Sequence, residues 1–195
     1  MPSLRESKKQ ATRRTMSDAA ARILVEEGAE ALTVARVAEA SGVSARTFHN
    51  YFASVPEALL HFVSDVVGSV AQQVPSYDAE MTMTAIMEDI TVDILSDDGV
   101  ELHGVTSLFK VGEFLEASEV SCDDARSFVE RCQPLVDAFM ERLPDHDEFE
   151  ISVMLNACGT CSMLAMRYIA DQGITDTNAK KDTVRTAFKA LSALK

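Results

Sequence analysis

Residues 32–52 read Leu32-Thr33-Val34-Ala35-Arg36-Val37-Ala38-Glu39-Ala40-Ser41-Gly42-Val43-Ser44-Ala45-Arg46-Thr47-Phe48-His49-Asn50-Tyr51-Phe52, and this stretch decides the fold. Thr33 reads as the N-cap of a short helix with Val34, Val37 and Ala38 on one face. Ser41-Gly42 breaks that helix, and Gly42 supplies the backbone freedom a tight turn needs. Ser44 then caps a second short helix presenting Thr47, Phe48, Tyr51 and Phe52. Two short helices joined by Ala40-Ser41-Gly42-Val43 have the anatomy of a helix-turn-helix. Ala45, Arg46, His49 and Asn50 fall on the side of the second helix away from Phe48 and Phe52, as a helix entering a DNA major groove requires. On spacing alone, an ordinary helical hairpin fits these residues equally well.

Outward from this stretch the apolar periodicity stays helical. Met16, Ala19, Ala20, Ile23 and Leu24 recur at i, i+3, i+4 spacing, with Gly28 as a stop. Ser54 caps a long helix striped by Leu59, Phe62, Val63, Val66, Val67 and Val70 and ended by Pro75. Further helices are expected at about 79–96, 101–118, 122–143, 147–172 and 177–194. The last carries Val184, Ala187, Phe188, Leu191 and Leu194 at helical spacing. No period-two run appears, and 5 Pro and 8 Gly in 195 residues disfavour a loop-rich or many-stranded chain. The expected fold is all-α: a three-helix domain over residues 1–53 and a larger helical domain over 54–195.

The formal net charge of -13 argues at first against nucleic acid. It is unevenly spread. Residues 1–56 hold 8 Lys+Arg and 6 Asp+Glu, whereas 57–195 hold 10 and 25. A slightly basic head on an acidic body can be drawn to phosphates through the head alone. At the N-terminus no apolar run follows the charges, so no secretory signal is read there. The 16 uncharged residues Ile151 to Met166 fall short of the roughly 20 a spanning helix needs, and they read as a buried helix of a soluble protein. Four cysteines are too few for a disulfide scaffold, and a reducing cytoplasm is the expected compartment.

The stretch from Leu32 to Phe52 resembles the DNA-binding signature of the tetracycline-repressor (TetR) family of bacterial regulators. The matching elements are Leu-Thr-Val, Ala-Glu-Ala, Gly-Val-Ser, Thr-Phe and Tyr-Phe in fixed register, and the likeness covers about 60 N-terminal residues. The resemblance implies a homodimer on a palindromic operator in double-stranded DNA, released by a small-molecule effector bound in the C-terminal domain. It implies backbone contacts from Thr33, Ser44, Thr47 and Tyr51, with Ala45, Arg46, His49 and Asn50 toward the groove. Arg46 stands where the family commonly has glycine, which offers a guanidinium for guanine O6/N7. His49 replaces a frequent tyrosine and Val55 a frequent lysine, both phosphate contacts elsewhere. A basic N-terminal arm with Lys8, Lys9, Arg13 and Arg14 is expected to compensate.

The resemblance also places an effector pocket among the middle helices. The residues assigned to it are Phe62, Val66, Met83, Met87, Phe109, Glu113, Phe114, Phe128, Phe139 and Met163. Nine Met and nine Phe make an apolar interior suited to bulky, largely hydrophobic ligands, although each fits ordinary core packing as well. Cys158-Gly159-Thr160-Cys161 has CxxC spacing but lies inside an apolar helix, not at a helix start after a strand. Close packing in a dimer interface is the expected role of these small residues, with a thiol- or metal-responsive regulator as the alternative. His61, His103 and His146 show no ligand spacing, and neither metal nor cofactor is expected. No nucleophile–base motif, HExxH, P-loop or dinucleotide fingerprint is present, so an enzyme is not expected, nor a membrane partner.

Overall fold

Described over residues 3–96, 105–118 and 121–193, the computed structural model is all-α, with no strand among those residues. Its helices are α1 (Leu4–Glu26), α2 (Val34–Ala40), α3 (Ala45–His49), α4 (Val55–Gln73), α5 (Met83–Ser96), α6 (Val105–Ala117), α7 (Cys122–Arg142), α8 (Glu148–Asp171) and α9 (Thr177–Ser192). The expected starts at residue 101, His103 and Leu194 lie outside the described residues.

The chain divides into two compact units, one of Met1–Val66 with Thr106–Glu130 and one of Val67–Val105 with Arg131–Lys195. In the first, α1 packs on α2 and α2 on α3. Met16, Val37, Phe48, Phe52, Leu59 and Phe62 are among its fully enclosed side chains. Helix α1 starts well before the apolar pattern does. Ser3 Oγ accepts the Glu6 N–H at 3.2 Å and Glu6 Oε2 accepts the Ser3 N–H at 2.8 Å, closing a capping box. The basic segment read as an arm is therefore helix. Residues 4–11 are exposed, so no apolar stripe marks these turns. In the same unit, Lys110 Nζ of α6 donates to Val25 O near the C-terminus of α1 at 2.9 Å.

In the second unit, α5 and α8 pack on α9 and on each other. Val92, Leu95, Cys158, Cys161, Ala165, Ile169, Val184 and Phe188 form one core, and Val70, Met83, Ile86, Leu135, Phe139 and Ile151 belong to a second. A Thr91–Ser162 hydroxyl contact of 2.9 Å links α5 to α8. Arg142 donates from α7 to Tyr77 O at 3.1 Å and to Asp78 O, carbonyls that follow α4.

Helix α8 corrects one expectation. The apolar sequence predicts a buried helix, yet only one face packs, through Ile151, Cys158, Cys161, Ala165, Met166 and Ile169. Phe149, Val153, Leu164 and Tyr168 fall on another face and are 75%, 51%, 58% and 55% exposed. At 3.6 residues per turn these four lie within about 100° of arc, adjoining the packed stripe on its Cys161 side. The helix is long and apolar enough to cross a membrane by composition alone, which a helix with an unpartnered apolar face also satisfies.

Candidate nucleic-acid interface

The turn between α2 and α3 is built by its sequence. Gly42 sits at φ +67°, its N–H donates to Glu39 O at 3.0 Å, and the Val43 N–H reaches back to Ala38 O at 2.9 Å. This paired closure satisfies the last carbonyls of α2 and needs a left-handed residue, which glycine adopts without strain. Both expected caps form. Thr33 Oγ1 accepts the Arg36 N–H at 3.2 Å and Ser44 Oγ the Thr47 N–H at 3.0 Å. Ser44 and Thr47 hydroxyls also meet at 2.8 Å.

Helix α3 is held by a single buried face. Phe48 is fully enclosed and its ring lies 5.7 Å from that of Phe52, which is 5.7 Å from His61. Ala45, Arg46, His49 and Asn50 are exposed together. The His49 ring meets the edge of Phe48 at 5.6 Å between centroids. Thr47 and Tyr51 are half-buried, and Thr33 and Ser44 are exposed at their helix starts.

Beside α3 lies an open cleft of about 740 Å³ lined by Leu4, Arg5, Lys8, Lys9, Thr12, Asn50 and Tyr51. It joins the first turns of α1 to the end of α3, both within the first unit. Lys8 and Lys9 therefore share a surface with Asn50 and Tyr51. Arg5 and Thr12 line it too and were missed. The Ser3-x-x-Glu6 box was the available signal, because a helix begun there puts Arg5, Lys8, Lys9 and Thr12 on one face.

Not every basic residue of the head faces outward. Arg13 turns inward onto Tyr51 O, Phe52 and Glu57. Arg36 is engaged by Glu27 at 2.7 and 3.1 Å and by Glu39 at 3.3 Å.

The residues assigned to an effector pocket are spread over both units. Phe62, Val66, Phe109, Glu113, Phe114 and Phe128 fall in the first, and Met83, Met87, Phe139 and Met163 in the second. Phe62 and Phe139 are fully enclosed and Val66 and Met83 buried; Met87, Phe109, Phe114, Phe128 and Met163 are half-buried and Glu113 exposed. Met83 and Phe139 belong to the second unit's core, against which Met87 packs.

The CxxC cysteines are core residues. Cys158 and Cys161 pack with Val92, Leu95, Val184 and Phe188 of their own chain. The close packing expected of them is thus made within the chain, and a dimer interface is not what buries them. Burial, with Cys161 beside it, pushes the Cys158 thiol up to about 11, and burial followed by Glu88 raises that of Cys161. Such thiols hold their protons at neutral pH and react slowly, which counts against a thiol-responsive switch. Among the described residues no group of three or more His, Cys, Asp or Glu could hold a metal. His61 is buried 3.6 Å from Asp65, and His146 is exposed 3.3 Å from Glu150.

Residues 17–55 match the family described as bacterial regulatory proteins, tetR family. No curated protein matches the chain. The fold is similar to that of solved structures at low identity. One is the fatty acid degradation regulator FadR of Bacillus halodurans, at 15% identity and TM-score 0.59, covering 91% of this chain and 94% of that one. A TetR-family transcriptional regulator from Rhodococcus sp. gives 17% and 0.57, over 92% and 98%. Thermus thermophilus FadR, a repressor solved with lauroyl-CoA, gives 18% and 0.57, over 90% and 92%. The sequence of that family thus lies over the helix-turn-helix, and along nine-tenths of its length the chain is similar in fold to TetR-family transcriptional regulators.

Proposed function

We propose that the chain is a repressor that binds a palindromic operator as a homodimer and is released by a small, largely hydrophobic effector. The observation that carries this reading is the two-sidedness of α3, where Phe48 is enclosed while Ala45, Arg46, His49 and Asn50 stand exposed together. Arg46 is the base-reading residue, its planar fork matched to guanine O6 and N7, and the Ala45 methyl suits a thymine methyl. Arg5, Lys8, Lys9 and Tyr51 hold the DNA backbone in the cleft beside α3, whose edge Asn50 shares with the groove-facing side, with Thr33, Ser44 and Thr47 as further backbone contacts. In this reading residues 1–53 are the DNA-binding domain and 54–195 the effector and dimerisation domain.

The exposed apolar face of α8 supports the dimer. Leu164 and Tyr168 border a groove of about 640 Å³ completed by Ala165 and by α9 residues including Ala179, Thr183, Ala187 and Ala190. Small residues there leave room for a second copy's helices. For the effector, the support is the interior rich in Met and Phe and the lauroyl-CoA held by the Thermus thermophilus repressor. Phe62, Val66, Met83, Met87, Phe109, Glu113, Phe114, Phe128, Phe139 and Met163 are the residues proposed to respond to it. The cycle needs no turnover, and a regulator of this kind works in the cytoplasm, where the DNA is.

The test is selection of operators from random duplexes, followed by titration of Arg46→Ala. The expected loss is roughly 1–3 kcal/mol, confined to sequences carrying the selected guanine. Unchanged affinity and unchanged base preference would remove Arg46 from that role.

A further inference from the structure

We propose that Arg13 is the positioning residue that sets the attitude of the recognition helix, without itself touching DNA. The inference rests on the reading of α3 as that helix. Five residues cannot hold a helical segment in place by their own hydrogen bonds. Phe48 anchors one side; the far end needs a second tether.

Arg13 supplies it. Its Nη2 donates to Tyr51 O at 3.0 Å, just past the C-terminus of α3, where the carbonyl ends of the helix favour a cation. The guanidinium carbon lies 5.2 Å from the centre of the Phe52 ring, and Nη2 lies 3.7 Å from Glu57 Oε1. Glu57 in turn accepts the Ala53 N–H, and its own N–H donates to Ser54 Oγ at 3.2 Å. Arg13 and Glu57 thus close a ring of contacts around residues 51–54, four of the five that connect α3 to α4. Both side chains are largely withdrawn from solvent, at 26% and 18% exposure, and Arg13 Nε is buried. A guanidinium can serve a carbonyl, an aromatic face and a carboxylate at once, which a lysine point charge cannot.

The consequence reaches the cleft. Lys9 precedes Arg13 by one helical turn, and Tyr51 lines the cleft with it. By fixing the Tyr51 carbonyl, Arg13 aims both that side chain and the exposed Arg46, His49 and Asn50.

The experiment separates positioning from phosphate contact. Operators selected by the full-length protein are titrated over a KCl series with Arg13→Met, Arg13→Lys and Glu57→Gln, alongside a random duplex. The expected result for Arg13→Met is an operator affinity about tenfold weaker, the scale of one lost charge-assisted hydrogen bond. Random-duplex affinity and the salt slope stay as they were. Arg13→Lys keeps the charge and leaves most of the discrimination lost, and Glu57→Gln gives a smaller loss of the same kind. Hydrogen exchange speeds at the amides of residues 50–54 while those within α1 and α2 hold, a pattern that a general loss of stability does not give.

A salt slope lowered by about 2 per dimer, with operator and random duplex weakened alike, would make Arg13 a phosphate contact and overturn the proposal. Unchanged discrimination in both Arg13 variants also overturns it. If Arg13→Met does not fold, Arg13→Lys and Glu57→Gln decide by the same readouts. Absence of any preferred duplex for the unaltered protein refutes the DNA-binding reading itself, and this one with it.

Discussion

Salt dependence gives the sharpest quantitative test of the proposed interface, because the structure separates cations that line the cleft from cations engaged within the protein. Residues 1–56 contain 8 Lys+Arg. If all of them met phosphates, a dimer would neutralise sixteen, and the slope of log affinity against log salt would approach roughly −14. The structure removes Arg13, turned onto Tyr51 and Glu57, and Arg36, held by Glu27 and Glu39. Of the six that remain, Arg5, Lys8 and Lys9 line the cleft beside α3, whereas Arg14, Arg22 and Arg46 do not. Three per head make six per dimer and a slope of roughly −5, so affinity falls about 10³-fold between 50 and 200 mM salt. Lys8→Gln with Lys9→Gln removes four of the six and brings the slope to roughly −2. Fluorescence anisotropy of a labelled operator over a KCl series reads both values. A slope near −14, or one unmoved by the double substitution, refutes the reasoning that the cleft holds the backbone.

Leu164→Glu with Tyr168→Glu should leave the fold intact and shift the protein to monomer, since both residues are exposed within a single chain and charge on that face opposes burial against a copy. Sedimentation of an unchanged dimer would place the interface elsewhere. The Cys158 thiol, pushed up to about 11 when folded, contributes stability that is complete below its ordinary value of 9.0 and is lost as pH rises toward 11. In Cys158→Ser, the fall in unfolding midpoint across that window should be shallower than in the unaltered protein, and only exposed Cys122 should alkylate quickly at neutral pH. Fast labelling of Cys158 in the folded state would restore a reactive-thiol role.

The helical segments and the helix-turn-helix are legible in the amino-acid sequence. Thr33 and Ser44 cap where local hydrogen bonding places them, and Gly42 makes the turn through its own backbone freedom. These features are legible because the interactions span three to five residues, and their residue types admit few alternatives. The helical start at Leu4 was encoded in the Ser3–Glu6 box but hidden from periodicity, because an exposed helix has no apolar stripe. Where the charges and the thiols end up depends on long-range packing. Arg13, Lys8 and Lys9 are alike in a charge count, yet Arg13 is drawn onto a carbonyl 38 residues away while the lysines line an open cleft. Cys158 and Cys161 carry redox-like spacing, yet Val92, Val184 and Phe188 enclose them and hold their protons on. A side chain's type records what it can bond; only the packing of distant segments settles what lies within reach and whether water remains beside it.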